Sequence, residues 1–265
     1  MKQTFLARVL LPVVAGLVVA VGANCAKSSK PSTDAASIAF PAPIKGEMII
    51  THAGHTLSYN RTHNTPNWVA WKLTKQMTYG RLPRSDKFWA DPAVPKPYRV
   101  DWFEYFSEHG HWDRGHMCPA GDMKWDEKAM HDCFYMTNMC PQNRKLNDGS
   151  WKYLEESCRR WARTEGTIYI ICGPVYDKGK KHLVIGSDHK IDVPEGFFKA
   201  VLSMREGHEK ATGFYYTNTP QQQSMPKAAM TIDELEKKIG MDLFPALPDD
   251  LERRIEARNS YKDWK

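Results

Sequence analysis

The sequence lacks three features that would indicate particular protein classes. Its longest charge-free apolar stretch, residues 9–23, contains Pro12 and falls short of the roughly 20 residues that a membrane-spanning helix needs, so no permanent helical anchor is predicted. No two cysteines have the spacing Cys-x-x-Cys, which disfavours the common structural zinc sites. No internal repeat is present, which excludes solenoids and propellers.

The composition is that of an ordinary globular protein. Of the 265 residues, 42% are hydrophobic and 26% are charged, which predicts a sizeable folded domain and excludes disorder throughout. The net charge is +6 and the isoelectric point is near 8.9. A basic protein suits a polyanion such as nucleic acid or an anionic membrane, but many basic proteins bind neither, so charge alone assigns no partner.

The N-terminus has the layout of an export signal. Lys2 and Arg8 precede the apolar stretch, and small residues and Cys25 follow it. Cys25 resembles the lipid-accepting cysteine of bacterial lipoproteins, although Asn24 before it is unusual for that signal, and ordinary cleavage nearby is the alternative. We therefore expect an exported bacterial protein that is periplasmic, extracellular or tethered to the outer membrane through a lipidated Cys25.

Changes in composition along the chain define its organisation. A stretch rich in Ser, Ala, Pro and Lys, without apolar periodicity, follows the signal and predicts a flexible linker. The expected segments are an export signal at 1–25, a linker at 26–45, one folded domain at 46–247 and a charged C-terminal tail at 248–265.

Five further cysteines follow the signal, and sequence alone does not determine their pairing. In an exported protein some of them could form disulfides. Because their number is odd, at least one is expected to be a buried free thiol.

Apolar periodicity predicts a mixed α and β domain. Alternation predicts a half-buried strand at 68–74, and a strongly β-prone run predicts another at 167–172. Apolar residues at helical spacing predict a helix from residue 151 onward. Other expected elements are strands at 48–51, 55–59, 134–137, 197–204 and 211–217, helices at 125–133 and after a capping box at 231–234, and loops at 79–105 and 140–148.

His116 is the first candidate for chemistry, in the run Asp113-Arg114-Gly115-His116-Met117. Histidine can take up a proton near neutral pH. A lone histidine is more often structural, and Arg114 has the plainer alternative of an ion pair with Asp113. His109 and His111 lie close by, and a transition-metal cluster with His116 is a further alternative.

A polar loop and the helix after it supply oxygen donors. Asn138, Gln142, Asn147 and Glu155 are ligands of the kind that hard cations such as Mg²⁺ accept. Glu155 lies about 12 Å along the helix axis from Asn147, so it would hold a metal-bound water more readily than the ion itself. The amides of Asn138 and Gln142 have a plainer alternative, which is to satisfy backbone groups of the loop.

Several short motifs occur together in one order: Asn67-Trp68-Val69-Ala70-Trp71-Lys72, Asp113-Arg114-Gly115-His116-Met117, Thr137-Asn138, Pro141-Gln142, Leu146-Asn147, Trp151 with Leu154-Glu155, Gly173-Pro174-Val175, Val193-Pro194 and Phe197-Phe198-Lys199. In these motifs the chain resembles the DNA/RNA non-specific endonucleases of the ββα-metal class, the family of Serratia nuclease and mitochondrial endonuclease G. The resemblance spans roughly residues 47–247, and the combined spacing from 113 to 155 is its most specific part.

The resemblance implies a fold and a metal centre. The implied fold is α+β, with a mixed, mainly antiparallel central sheet, helices packed on it and a ββα-metal active-site motif. His116 matches the family's general base, and Asn147 matches the sole direct protein ligand of a hydrated Mg²⁺, for which Mn²⁺ can substitute. Glu155 matches the carboxylate that organises the waters of that ion.

The resemblance also implies roles for neighbouring residues. Asn138 and Gln142 match polar residues that line the metal site, and we expect Asn138 to support catalysis and Gln142 to contact the substrate. Arg114 matches an arginine near the phosphate. A second family arginine corresponds to Arg84, with Arg81 as the alternative.

The activity implied by the resemblance is metal-dependent hydrolysis of DNA and RNA, with His116 activating water. Contacts to the sugar-phosphate backbone carry no sequence information, so little sequence preference is expected. The alternatives are a surface nucleic-acid-binding protein with little catalysis and a phosphodiesterase with a narrower substrate. No protein partner is identifiable from the sequence.

Overall fold

A computed structural model describes residues 40–106 and 112–264 of the chain. The predicted export signal with Cys25, most of the predicted linker, His109 and His111 lie outside the described residues. In the described part, every helix is too short or too polar to cross a membrane.

A seven-stranded sheet forms the centre of the domain, with the strand order β1-β2-β3-β6-β9-β10-β11. All of its neighbouring strands run antiparallel, which confirms the predicted α+β class with a mainly antiparallel sheet. The strands are β1 (Met48–Thr51), β2 (Thr56–Asn60), β3 (Thr65–Thr74), β4 (Trp112–His116), β5 (Met139–Asn143), β6 (Thr167–Val175), β7 (Val184–Ile185), β8 (Ile191–Asp192), β9 (Gly196–Ser203), β10 (Lys210–Thr217) and β11 (Ala229–Met230). The pairs β4–β5 and β7–β8 form separate two-stranded antiparallel sheets. We call the first pair the β4–β5 hairpin, although residues 117–138 with α1 connect its strands.

Six α-helices and several short 3-10 or π-helical turns complete the described part. The α-helices are α1 (Glu127–Asp132), α2 (Arg144–Leu146), α3 (Lys152–Glu165), α4 (Met225–Ala228), α5 (Ile232–Ile239) and α6 (Asp249–Glu256). The predicted capping box is present at the start of α5, where Thr231 and Glu234 bond to each other's backbone N–H groups. The predicted helix from residue 151 corresponds to α3.

Both faces of the sheet are covered, because successive side chains of a strand point to opposite faces. Val69 and Trp71 of β3 belong to a core that includes residues of α3 and the β4–β5 hairpin. Trp68 and Ala70 belong to a second core that includes residues of α5 and α6. β3 was predicted to be half-buried, but it lies inside the sheet with a helical layer on each side, so both of its faces are buried.

The predictions of a strand at 134–137 and of a loop at 140–148 are both wrong. Phe134 and Tyr135 lie in turns whose N–H groups bond to carbonyls three residues earlier, and a short 3-10 helix follows at Met136–Asn138. Phe134 is apolar because it enters the core at this turn. The strand is β5, whose residue Gln142 is polar yet fully buried in the hairpin, so apolar alternation could not reveal it.

The domain extends beyond both predicted boundaries. At its start, the ring of Phe40 lies 6.0 Å from that of Trp68, so the packed domain begins before residue 46. At its end, the predicted tail contains α6 and a final helical turn, in which the ring centre of Trp264 lies 5.1 Å from that of Trp161. Trp264 is 3% exposed, so burial of this aromatic ring fixes the C-terminal segment to the domain.

The five cysteines of the described part are all buried and free. Burial is the main cause that raises the pKa of Cys158 and Cys172 to about 12. They are therefore protonated thiols with a packing role. The alternative that some of these five form disulfides with one another is not realised.

Candidate active site

The β4–β5 hairpin and the helical segment after it carry most of the predicted site residues. β4 pairs with β5 so that Arg114 lies opposite Pro141 and His116 lies opposite Met139. The chain then passes through α2 and a kinked helical turn at Asn147–Trp151 into α3. This strand-strand-helix order places residues of β4 and residues of the helical segment around one cleft.

Two adjoining cavities form this candidate active-site cleft, with volumes of about 440 and 290 Å³. Arg84, Arg114 and Asn147 line both cavities. His116 and Glu155 line the smaller one. The structure therefore brings these five predicted residues together, although they come from a loop, a strand and a helical segment.

The imidazole of His116 is 7% exposed and lies between two aromatic rings, with ring centroids 4.7 Å from Phe134 and 5.7 Å from Phe88. Its Nε2 atom has no hydrogen-bond partner among the described residues. Burial, followed by the positive charge of Arg84, lowers the pKa of His116 to about 3. The imidazole is therefore neutral near pH 7, which is the form that can accept a proton.

Asn147 is held by an acidic side chain of β4. Its Nδ2 donates to Oδ2 of Asp113 at 3.1 Å, which leaves the amide oxygen Oδ1 free to act as a metal ligand. The other carboxylate oxygen of Asp113 accepts from Nε of Arg144 at 3.1 Å. Asp113 therefore pairs with Arg144 and not with Arg114. The register of β4 and β5, which brings residue 143 opposite residue 112, places Arg144 near Asp113, and the predicted loop at 140–148 did not reveal this pairing.

Glu155 lies at the start of α3 and has no ion-pair partner within 4.0 Å among the described residues. Burial raises the pKa of this carboxyl to about 7, and the charges of Lys199 and then Arg159 oppose the shift. The ammonium of Lys199 is fully buried and lies 4.4 Å from the ring centre of Trp151. Sequence reasoning assigned no role to Lys199, and its place in one motif was the only signal.

The donor set of the smaller cavity fits a hard divalent cation. Asn147 offers its amide Oδ1, and Glu155 offers a carboxylate without a protein ion-pair partner in the described chain. These are oxygen donors of the kind that Mg²⁺ accepts while it keeps several waters. The cavity of about 290 Å³ has room for such a hydrated ion.

Two aromatic rings hold the guanidinium of Arg114. Its Cζ lies 4.2 Å from the ring centre of Phe88 and 5.1 Å from that of Phe106, both within cation–π distance. Phe106 is 64% exposed at the cleft. Phe88 lies within the segment predicted only as a loop, and Phe106 lies directly after it, so the sequence analysis did not identify either ring as part of the site.

Arg81, the alternative to Arg84, lines a different depression.

Asn138 and Gln142 do not reach the cleft, in contrast to their expected roles. Asn138 is fully buried, and its amide bonds to the backbone N–H and carbonyl of Cys118 and to the carbonyl of Cys133. Gln142 is also fully buried, beside Gly115, where a Cβ would collide with the glutamine side chain. This geometry favours the alternative role of Asn138 in satisfying backbone groups, and it leaves Gln142 without access to substrate.

Comparison with known proteins identifies the family. The sequence model described as DNA/RNA non-specific endonuclease matches residues 31–250. The protein named "Nuclease EXOG, mitochondrial" from Danio rerio is 34% identical over 222 residues, which cover 78% of this chain and 64% of that relative. "Endonuclease G, mitochondrial" from Bos taurus is 30% identical over 207 residues, which cover 74% of this chain and 68% of the relative. The chain thus spans less than two thirds of the length of the EXOG relative.

A solved structure shares the fold. The crystal structure of the EndoG/EndoGI complex contains a chain that superposes on this one with a TM-score of 0.72 and 26% sequence identity. The match covers 83% of this chain and 95% of that chain. The match supports the predicted ββα-metal class as well as the central sheet.

The relatives contradict the expected localisation. The EXOG relatives and endonuclease G carry mitochondrial names, whereas we expected an exported bacterial protein. A relative from Nostoc sp. is named only "Nuclease", so a bacterial relative exists without any indication of export in its name. Basic residues before an apolar stretch were therefore an insufficient signal for the destination.

The sequence model of the family matches residues 31–250, which are well over half of this chain. The chain therefore belongs to the DNA/RNA non-specific endonuclease family.

Proposed function

We propose that the chain is a metal-dependent endonuclease that hydrolyses phosphodiester bonds of DNA and RNA with little sequence preference. The observation that carries this proposal is the meeting of a neutral buried histidine, unpaired oxygen donors and two arginines at one cleft. Membership of the endonuclease family supports the reaction class. The net charge of +6 favours the capture of long polyanions.

His116 acts as the general base in this proposal. Its imidazole accepts the proton of the attacking water, and a positioned base of this kind contributes about 10²–10⁴-fold to the rate. The low pKa of about 3 describes the chain without substrate. A bound phosphate would offset the charge of Arg84 and so raise the proton affinity of His116 when the proton is transferred.

Asn147 and Glu155 would hold the cation, the first through Oδ1 and the second through ion-bound water. A divalent ion in this place supplies electrostatic stabilisation of the charge that develops on the phosphate and the leaving oxygen. Asp113 acts as a positioning residue, because its bond to Nδ2 of Asn147 keeps Oδ1 free. Lys199 keeps the carboxyl of Glu155 closer to its ionised form.

Arg84 and Arg114 bind and orient the phosphate. Charged donors to phosphate oxygens form short, strong hydrogen bonds. The contacts of Arg114 with Phe88 and Phe106 restrict its guanidinium and so reduce the entropy lost on binding. In this proposal the cleft addresses the sugar-phosphate backbone and not the base edges, and this underlies the expected lack of sequence preference.

The test uses purified full-length chain with supercoiled plasmid, single-stranded RNA and a dinucleotide, each with Mg²⁺ and with chelator. We expect nicked and then linear plasmid, fragmented RNA and no activity after chelation. A matched pair of substrates with shuffled sequence should be cleaved at similar rates.

Three outcomes would contradict the proposal. Binding of plasmid without turnover in any divalent ion would favour a nucleic-acid-binding protein. Hydrolysis of the dinucleotide alone would favour a narrower phosphodiesterase. Cleavage that continues at full rate after chelation would exclude the metal dependence.

A further inference from the structure

A cluster of acidic side chains lies between α5 and α6, away from the active-site cleft. Asp233 and Glu236 of α5 and Glu256 of α6 each offer a carboxylate oxygen, and these oxygens lie within 4.8 Å of one another. Asp242 and Glu252 are close enough to raise the pKa of both glutamates. We call Asp233, Glu236 and Glu256 the α5–α6 acidic cluster.

The cluster and His116 belong to opposite faces of the central sheet. Ile232 and Leu235 of α5 and Ile255 of α6 pack in one core. Met117, which follows His116, and Leu154, which precedes Glu155, pack in the other core. An ion bound at the cluster is therefore a different ion from the one proposed for the cleft.

Glu256 gives the cluster a second property that surface acidic groups lack. The residue is 3% exposed, and its Oε1 has no hydrogen-bond partner among the described residues. A buried carboxylate normally has a hydrogen-bonding or charged partner, because desolvation without one costs several kcal/mol. Its unpartnered carboxylate approaches the oxygens of Asp233 and Glu236.

Basic side chains do not neutralise this charge within the described chain. None of the three cluster carboxylates forms an ion pair within 4.0 Å. Arg253 of α6 lowers the pKa of the neighbouring Glu252. The only hydrogen bond to a cluster carboxylate in the described part runs from the backbone N–H of Leu243 to Oε1 of Glu236, at 2.7 Å.

The uncompensated charge has a measurable consequence. Burial, and then repulsion from neighbouring carboxylates, raises the pKa of Glu256 to about 8. The pKa of Glu236 is raised to about 7, also mainly by burial. A cation bound among these carboxylates would offset their mutual repulsion and lower both pKa values.

We propose that the α5–α6 acidic cluster binds a calcium ion that holds α6 against α5. Ca²⁺ takes six to eight oxygen ligands and accepts several carboxylates in flexible geometry, whereas Mg²⁺ is usually bound by one or two. Three converging carboxylates, with Asp242 and Glu252 beside them, match the calcium preference. Because the two helices belong to one core, the ion stabilises the C-terminal part of the domain and is not required for cleavage.

The experiment measures thermal unfolding of the full chain after chelation and dialysis, with and without added CaCl₂. It uses the Asn147→Ala background, so that the proposed cation site of the cleft does not contribute. At a calcium concentration about 100 times the dissociation constant, we expect Tm to rise by about 5–10 °C. The readout does not depend on cleavage, so it stands or falls separately from the proposed nuclease activity.

Three further substitutions in that background assign the effect. Glu256→Gln preserves shape and should abolish the calcium-dependent rise in Tm. Asp233→Asn changes an exposed residue, so it should fold normally, and it should reduce the rise. Asp250→Asn is the matched control, because it removes an exposed carboxylate from the first turn of α6 and should leave the rise intact.

Two results would overturn the proposal. One is an unchanged Tm of the Asn147→Ala protein in calcium, together with a Tm that increases on acidification; this would show that protons occupy the cluster. The other is an equal calcium effect in the Glu256→Gln, Asp233→Asn and Asp250→Asn proteins, which would show that calcium binds elsewhere.

Discussion

Replacing His116 with alanine is expected to remove most of the cleavage activity and to leave the fold intact. The side chain is 7% exposed and packs against Phe134 and Phe88. Its Nε2 has no partner in the described chain, so no hydrogen bond of that atom is lost. The loss of packing should cost about 1–3 kcal/mol of unfolding free energy. A domain with a stability of about 5–15 kcal/mol stays folded after such a loss.

The expected effect on catalysis is larger. Loss of a general base lowers the rate by about 10²–10⁴-fold. At about 1.36 kcal/mol for each factor of ten, this raises the activation free energy by about 2.7–5.4 kcal/mol. Because the folded fraction remains near one, a smaller amount of folded protein does not explain a decrease of this size.

The assay is the initial rate of supercoiled plasmid nicking in Mg²⁺, with urea unfolding measured on the same preparations. His55→Ala is the matched control, because His55 is 4% exposed, has two ring nitrogens without partners in the described chain and lines neither cavity of the cleft. Added imidazole should partly restore cleavage by His116→Ala and should not affect His55→Ala. A decrease smaller than tenfold, or an equal decrease in the control, would refute the reasoning.

Three other predictions follow from the geometry. Asn147→Ala should raise the Mg²⁺ concentration for half-maximal cleavage by about 10-fold or more, measured by metal titration of the nicking rate. Burial raises the pKa of Asp91, but hydrogen bonds to its carboxylate, first that from His52, lower the pKa overall below 3.8. The stability that the ionised Asp91 contributes is therefore present above pH 3.8 and is lost as the pH falls through its pKa in the folded state. Asp91→Asn should remove this acid dependence of the unfolding free energy, measured by urea unfolding at pH 2–6. Asp122→Ala should lower the unfolding free energy, measured by urea unfolding, by about 3–5 kcal/mol. The reason is that Nη1 of Arg159 lies 2.9 Å from Oδ1 of Asp122 and would lose this buried partner. A loss below about 1 kcal/mol would contradict this prediction.

Local sequence signals predicted the elements that depend on local periodicity. Alternation identified the β3 region, and β-prone residues identified β6, because burial against a helical layer selects such patterns. The capping box at Thr231 and Glu234 was equally local, and both of its hydrogen bonds are present. Such elements are predictable because the residues that stabilise them are close in the sequence.

The β5 region could not be predicted in the same way. Phe134 is apolar because it fills the core at a turn, whereas Gln142 is polar although it lies inside the hairpin. Asn138 was expected at the cleft, but its amide satisfies the backbone of Cys118 and Cys133. An amide side chain that stabilises backbone groups and one that binds a ligand have the same sequence signal, so only the contacts distinguish the two roles.

The sequence by itself, through the spacing of its motifs and the resemblance that they carry, predicted His116, Asn147 and Glu155 as one candidate site, and the folded chain places these three residues around one cavity. Only the tertiary structure decided that Phe88 restrains Arg114 and that Lys199 influences the charge of Glu155. Such partners lie on chain segments that meet only when helices and loops pack on the sheet. Their effects depend on distance and burial in the folded state, and neither quantity is a property of local sequence.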